Sequence, residues 1–200
     1  MLKVLLLFNY MDRLVIDIET KNTFQDVGGE QNIHKLEASL VGVYSYDKDA
    51  YLGLLEHEFD QLDELFRGAE LIIGFATNRF DIPVLRKYTS VDIKRIKSLD
   101  MFEEVQKRLG RRVGLGVLCE ANLKIGKTGH GLDAIEYYKN GEIERLKKYC
   151  LNDVKITKDL YEFVLDRKKL FVPDKFSPPG VFFDFDWAWS LQTSPQGMLF

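Results

Sequence analysis

The stretch Leu14-Val15-Ile16-Asp17-Ile18-Glu19-Thr20 constrains the fold more than any other part of this chain. Its aliphatic and β-branched residues read as a buried strand, and the period of two puts Asp17 and Glu19 on the same face. Two like charges inside an apolar strand cost several kcal/mol unless they are paired, hydrated or bound to a cation. Two arrangements satisfy this condition. Either the strand ends at solvent and both carboxylates are hydrated, or the fold brings a cation to that face.

The remainder of the chain fits one compact domain. With 200 residues, 46% of them apolar and 30% charged, it can bury a full-sized core. The longest apolar runs, such as Val4 to Phe8, fall far short of the roughly 20 residues that span a bilayer. Lys3 ahead of that run lacks both the length and the cleavage site of a signal peptide. The expectation is a soluble, cytoplasmic protein with no membrane partner. Cys119 and Cys150 are the only cysteines, lack a C-x-x-C spacing, and read as reduced packing residues.

The net charge of -3 conceals an asymmetry. Residues 1 to 85 carry 7 basic and 15 acidic side chains (-8), residues 86 to 127 carry 11 and 5 (+6), and the rest carry 10 and 11 (-1). The basic stretch from Lys94 to Lys127 could meet a phosphate backbone, or it could be a helix surface kept soluble by its charges.

Hydrophobic periodicity predicts strands first and helices later. Strands are expected at Arg13 to Glu19, Leu36 to Tyr46, Ala50 to Leu55, Glu70 to Phe75 and Ile96 to Asp100. Asp47, Lys48 and Asp49 join the second and third as a hairpin. Helical spacing runs through Phe59 to Phe66, Ile82 to Tyr88, Phe102 to Leu109, Leu115 to Leu123, Leu132 to Tyr138 and Ile143 to Leu165. This order suggests an α/β domain, a mixed sheet covered by helices. Residues 1 to 10 read as an extra strand or an extension. After Val172, Phe182, Phe183, Phe185, Trp187 and Trp189 alternate with acids, a pattern expected to form a strand with one face packed on the domain or on a partner.

Two further acidic motifs stand beside apolar segments. Asp81, in Phe80-Asp81-Ile82-Pro83-Val84-Leu85, lies where a strand gives way to a helix, a place that suits an ordinary helix cap. Phe80 and Leu85 would anchor that turn and aim Asp81 at the strand end. Tyr149 and Asp153 are four apart in a long helix, on a face other than the stripe Leu146, Cys150, Val154, and each taken singly reads as solvated.

In this order the three motifs resemble the tyrosine-type DEDD family of 3'-5' exonucleases in the ribonuclease H-like superfamily. The similarity is to the proofreading domain of family B DNA polymerases and to small stand-alone exonucleases, and it covers residues 13 to 166, with Lys148 where the histidine variant has its histidine. The resemblance implies a five-stranded sheet whose first three strands are antiparallel. It implies two divalent cations, magnesium or manganese, held by Asp17, Glu19, Asp81 and Asp153. Asp17 would touch both, Glu19 and Asp153 would hold the one carrying the attacking water, Asp81 would act through the water shell of the other, and Tyr149 would orient the water. The implied substrate is a single-stranded or frayed 3' end of DNA or RNA, hydrolysed to 5'-mononucleotides. Ile18 and Thr20 would approach the terminal nucleotide, and Asn78, Phe80 and Tyr137 would line or stack in the cleft. The chain departs from the polymerase pattern at Ala76, where an Asn that helps hold substrate is common and which Asn78 would replace. The alternatives are a catalytically weak nucleic-acid-binding or interaction module and an endonuclease of the same fold.

Overall fold

The computed structural model describes residues 12–126, 131–174 and 179–191. Its centre is a five-stranded sheet in the order β3-β2-β1-β4-β5, built from β1 (Asp12–Thr20), β2 (Ala38–Ser45), β3 (Ala50–Leu55), β4 (Ala69–Gly74) and β5 (Lys97–Asp100). β1, β2 and β3 form an antiparallel meander, and β4 and β5 are parallel to β1. The sheet is the mixed, five-stranded one expected, with β1 at its middle.

Alternation along β1 feeds two cores. Leu14, Ile16 and Ile18 face α1 (Gln61–Gly68) and α2 (Asp81–Leu85), where they pack with Leu62, Phe66 and Leu85. Val15 faces the other way, toward α3 (Met101–Leu109), α4 (Leu115–Leu123) and α6 (Ile143–Arg167). α5 (Gly131–Lys139) closes this side, with Ala134 packed against Leu146, Tyr149 and Leu40. Leu146, Val154 and Leu160 of α6 are fully buried, and each contributes about 1.5–3 kcal/mol. That burial fixes α6 against the sheet and offsets the cost of the polar side chains the helix carries inward.

The helix and strand positions agree with the periodicity, with three differences. β2 starts at Ala38 because Glu30–Lys35 forms a short 3-10 helix. α2 ends at Leu85, and Pro83 sits in its first turn, where a missing N–H costs nothing. The aromatic tail is a hairpin strand, β7 (Val181–Asp184), paired with the unforeseen β6 (Lys169–Val172) in a separate two-stranded sheet. Its packed aromatics lie beyond that strand: Phe185 and Trp187 are buried and Trp187 stacks on Tyr161, whereas Phe182 and Trp189 are exposed. The segment 1–10 and Lys127 lie outside the described residues. Among the described residues no helix is long and apolar enough to cross a membrane.

The seat of α6 depends on one glycine. Gly42 of β2 lies opposite Asp17, and a Cβ there would stand 2.7 Å from Cys150 Sγ and 2.8 Å from Val154 Cγ2. Gly42→Ala should therefore cost about 1–3 kcal/mol through overpacking, measured by urea unfolding. Wild-type stability in this variant would show that α6 does not rest on the β1–β2 pair.

Candidate active site

The neighbours of β1 part company along its length. β2 follows it to the pair Thr20–Ala38, but β4 keeps register only to Val15–Ile73 and ends at Gly74. Beyond that point one edge of β1 is open, at the carboxyl ends of two parallel strands, where open α/β sheets place their ligands.

Asp81 fills the opening. It is the first residue of α2, 4% exposed, and lies beside the backbone of Ile18, between Asp17 and Glu19 in sequence. Burial pushes its carboxyl up to about 7, against backbone N–H donors, and the nearby charge of Asp100 adds to the rise.

The turn that delivers Asp81 is held by Asp100, at the end of β5. Its buried carboxylate accepts N–H bonds from Ala76 and Asn78 at 2.9 Å each, and from Phe102 and Glu103 at 3.0 and 3.2 Å at the start of α3. Capping α3 is therefore half of its work. Ala76 is held at φ 67, a left-handed conformation that costs a residue with a Cβ about 1–2 kcal/mol and that Asn tolerates better.

α6 brings the remaining groups from the opposite face. Over Gly42 the Cys150 thiol approaches the Asp17 carbonyl oxygen to 3.5 Å and its Oδ2 to 3.7 Å. Ligand atoms of Asp17, Glu19 and Cys150 all lie within 4.8 Å of one another. Burial, then the charges of Asp17, Glu19 and Asp153, push the Cys150 thiol well above its ordinary value, so it stays protonated among the carboxylates. Tyr149 and Asp153, which singly suit a solvated helix face, are 6% and 3% exposed.

A cleft of about 380 Å³ is lined by Asp17, Glu19, Asp81, Tyr149 and Asp153 together. Ile18, Thr20 and Phe80 also line it, as the sequence suggests. The Thr20 hydroxyl donates to the Asn22 carbonyl at 2.8 Å, which turns the chain into the wall-forming loop after β1. The lining residues that escape the sequence reading include Phe24, whose ring meets Phe80 edge-on at 5.7 Å, and Leu132 and Ile135 of α5. They carry no local motif, and Leu132, 66% exposed, is marked only by being a leucine in water. Tyr137 lies in an adjoining groove that shares Tyr149. Asn78 is used elsewhere: its amide donates to Glu103 at 3.0 Å and accepts from Ser98 at 2.5 Å. Asn78 does not line the cleft itself.

The donor set suits a hard divalent cation. Glu19, Asp81 and Asp153 are each more than nine-tenths buried in one cleft, an arrangement that calls for positive charge. The carboxylate oxygens suit a divalent metal ion, and Cys150 Sγ lies beside those of Asp17 and Glu19.

Residues 14–165 match the family described as the RNase_H superfamily. Comparison with curated proteins gives no match. Among solved structures, the fold is similar to the family B DNA polymerase of the hyperthermophilic archaeon Pyrobaculum calidifontis (TM-score 0.58, 18% identity, 78% of this chain and 24% of that one). It is also similar to Trypanosoma brucei RNase D (TM-score 0.55, 16% identity, 76% of this chain and 57% of that one). This chain thus corresponds to about a quarter of the polymerase and just over half of the RNase D.

Two substitutions test the geometry. Ala76→Asn should raise stability by about 0.5–1 kcal/mol in thermal or urea unfolding, because Asn accepts the left-handed turn more readily. Asp81 has a folded pKa above its unfolded value of 3.8, so in metal-free protein its contribution is fully present below about pH 4 and is lost as pH rises toward 7. Relative to wild type, Asp81→Asn in EDTA should therefore gain up to about 4 kcal/mol between pH 4 and pH 8. A stability difference independent of pH would contradict the buried, proton-binding carboxyl.

Proposed function

Because the chain belongs to the RNase H superfamily, we propose that it is a metal-dependent 3'-5' exonuclease that hydrolyses single-stranded DNA or RNA to 5'-mononucleotides. One observation carries this reading: Asp81 of α2 shares one cleft with Asp17 and Glu19 of β1 and with Tyr149 and Asp153 of α6.

Asp17, Glu19, Asp81 and Asp153 would hold two magnesium or manganese ions. Bound there, the ions supply Lewis-acid stabilisation of the charge that develops on the scissile phosphate and its leaving oxygen. The protein's own groups do the rest. Tyr149, packed with Leu40 and Ala134, lines the cleft. Its phenol would serve to align the attacking water, whose deprotonation the bound ions would promote. Water adds to phosphorus in line, the 3'-oxygen of the preceding nucleotide departs, and the terminal residue leaves as a 5'-monophosphate. Phe24, Phe80, Leu132 and Ile135 give the cleft an apolar lining that would hold a base by its faces without reading its edge, and so admit any sequence. The Cys150 thiol, donating toward Asp17, fixes that carboxylate without adding charge.

Purified protein with magnesium or manganese should shorten a 5'-labelled single strand stepwise and release 5'-mononucleotides. Asp17→Ala should lower the rate at least about 10³-fold, and a circular single strand should survive. Equal activity in Asp17→Ala would falsify the site assignment. Cutting of the circle would make the enzyme an endonuclease, and binding without cleavage would make it a non-catalytic module.

A further inference from the structure

Neither Asn78 nor Asp100 lines the carboxylate cleft, yet together they fasten the turn that carries Asp81 into it. That turn occupies residues 75–80, between the end of β4 at Gly74 and the start of α2 at Asp81. The two oxygens of the buried Asp100 carboxylate divide the work. Oδ1 accepts the N–H of Ala76 together with those of Phe102 and Glu103, so it joins the entry of the turn to the cap of α3. Oδ2 accepts the N–H of Asn78, in the middle of the turn.

The side chain of Asn78 ties the same point again. Its amide donates to Glu103 of α3 and its carbonyl oxygen accepts from Ser98 of β5. Residue 78 is thus held by one backbone and two side-chain bonds, all of them to β5 and the start of α3. The anchor itself is firm, because Leu99 and Met101, on either side of Asp100, are fully buried and pack with Val105 in one core. Ala76 keeps its φ of 67 within this frame. A residue with a Cβ holds such a conformation only where its surroundings over-determine it. They do so here: its N–H goes to Asp100, and its carbonyl oxygen accepts from Arg79 at 3.2 Å and Phe80 at 3.0 Å. The Thr77 carbonyl oxygen then accepts the Ile82 N–H at 3.0 Å, which locks the turn to α2. Asp81 stands between these tied points.

Resting on the metal-dependent reading of the cleft, we propose that Asn78 and Asp100 are a pair of positioning residues that hold Asp81 where a cation can use it, and that Asn78 acts through Asp81 rather than by touching substrate. Every bond of Asn78 named above runs to the protein's own anchor. A carboxylate ligand serves a cation only when its place is fixed before the cation arrives, and the outer partners of a ligand do the fixing. Loss of such partners typically lowers metal affinity about 10–100-fold.

The test separates a clamp from a helix cap and from a substrate contact. In Asp100→Asn the oxygen that faces three N–H donors is retained, and Asn caps a helix as well as Asp does. An NH2 group then meets the Asn78 N–H, so that link alone is broken. Asn78→Ala removes the two side-chain bonds instead. Manganese is titrated into the full chain without nucleic acid and followed by calorimetry, and thermal unfolding of the metal-free proteins shows that each variant is folded. Both variants should bind manganese about 10–100-fold more weakly than wild type, and the double variant should lose little more than the worse single one, since both act on one turn. At saturating manganese, KM for a single strand should stay at the wild-type value in Asn78→Ala. Ser98→Ala, which deletes one bond to Asn78, should show a smaller loss in the same direction and carries the test if Asp100→Asn does not fold. Unchanged manganese affinity in the folded variants, or a raised KM in Asn78→Ala, would overturn the inference. A wild type that binds no manganese removes the metal reading and this inference with it. If wild type binds manganese, the variants bind it weakly and no strand is cleaved, the exonuclease reading fails and the positioning pair stands.

Discussion

The site depends on the early end of β4. β1 continues to Thr20 while its parallel neighbour stops at Gly74, so the last residues of β1 have no strand on that side. The space is taken by Asp81, buried beside the backbone of Ile18. The early strand end thus brings an acidic residue from the chain after β4 to the acidic pair on β1. The loop between β4 and α2 is in turn shaped by Asp100, whose four N–H contacts join Ala76 and Asn78 of the loop to the start of α3.

The second requirement is proximity between α6 and the sheet. A side chain at position 42 would hold the helix off, and the thiol of Cys150 could not reach Asp17. Fully buried Leu146, Val154 and Leu160 supply the free energy that keeps the helix down, and Tyr149 and Asp153 are carried into the cleft with it. The metal-free site is therefore electrostatically uphill. Asp81 responds by keeping its proton to about pH 7, and Cys150 by remaining a thiol. A cation would relieve the first without competing with the second. Cys150, read from sequence as a packing residue, is also a neutral spacer between charged neighbours.

Much of the architecture was legible because hydrophobic period is local. The β1 alternation, the buried runs of β2 and β4 and the 3.6-residue stripe of α6 each declare their element without reference to the rest of the chain. The tail was legible in part: its acid–aromatic alternation marked β7, but the aromatics that are buried, Phe185 and Trp187, lie past the strand and meet Tyr161 from a distant helix. Asn78 and Ala76 show the same limit at the site. Whether an Asn two residues along could serve in place of one at 76 depends on Ser98 and Glu103, which become neighbours only when β5 and α3 are folded.

By itself the sequence determined which residues could carry the chemistry. Asp17, Glu19, Asp81, Tyr149 and Asp153 stand in an order and spacing that resemble a known family, and each adjoins a segment apolar enough to be buried. Only the tertiary structure decided that all five meet in one cleft and that Phe24, Leu132 and Ile135 complete its walls. The physical reason is range. Periodicity and turn chemistry act over a few residues, whereas a carboxylate cluster exists only where a strand end, a helix N-terminus and a helix face more than a hundred residues apart are forced together by packing elsewhere.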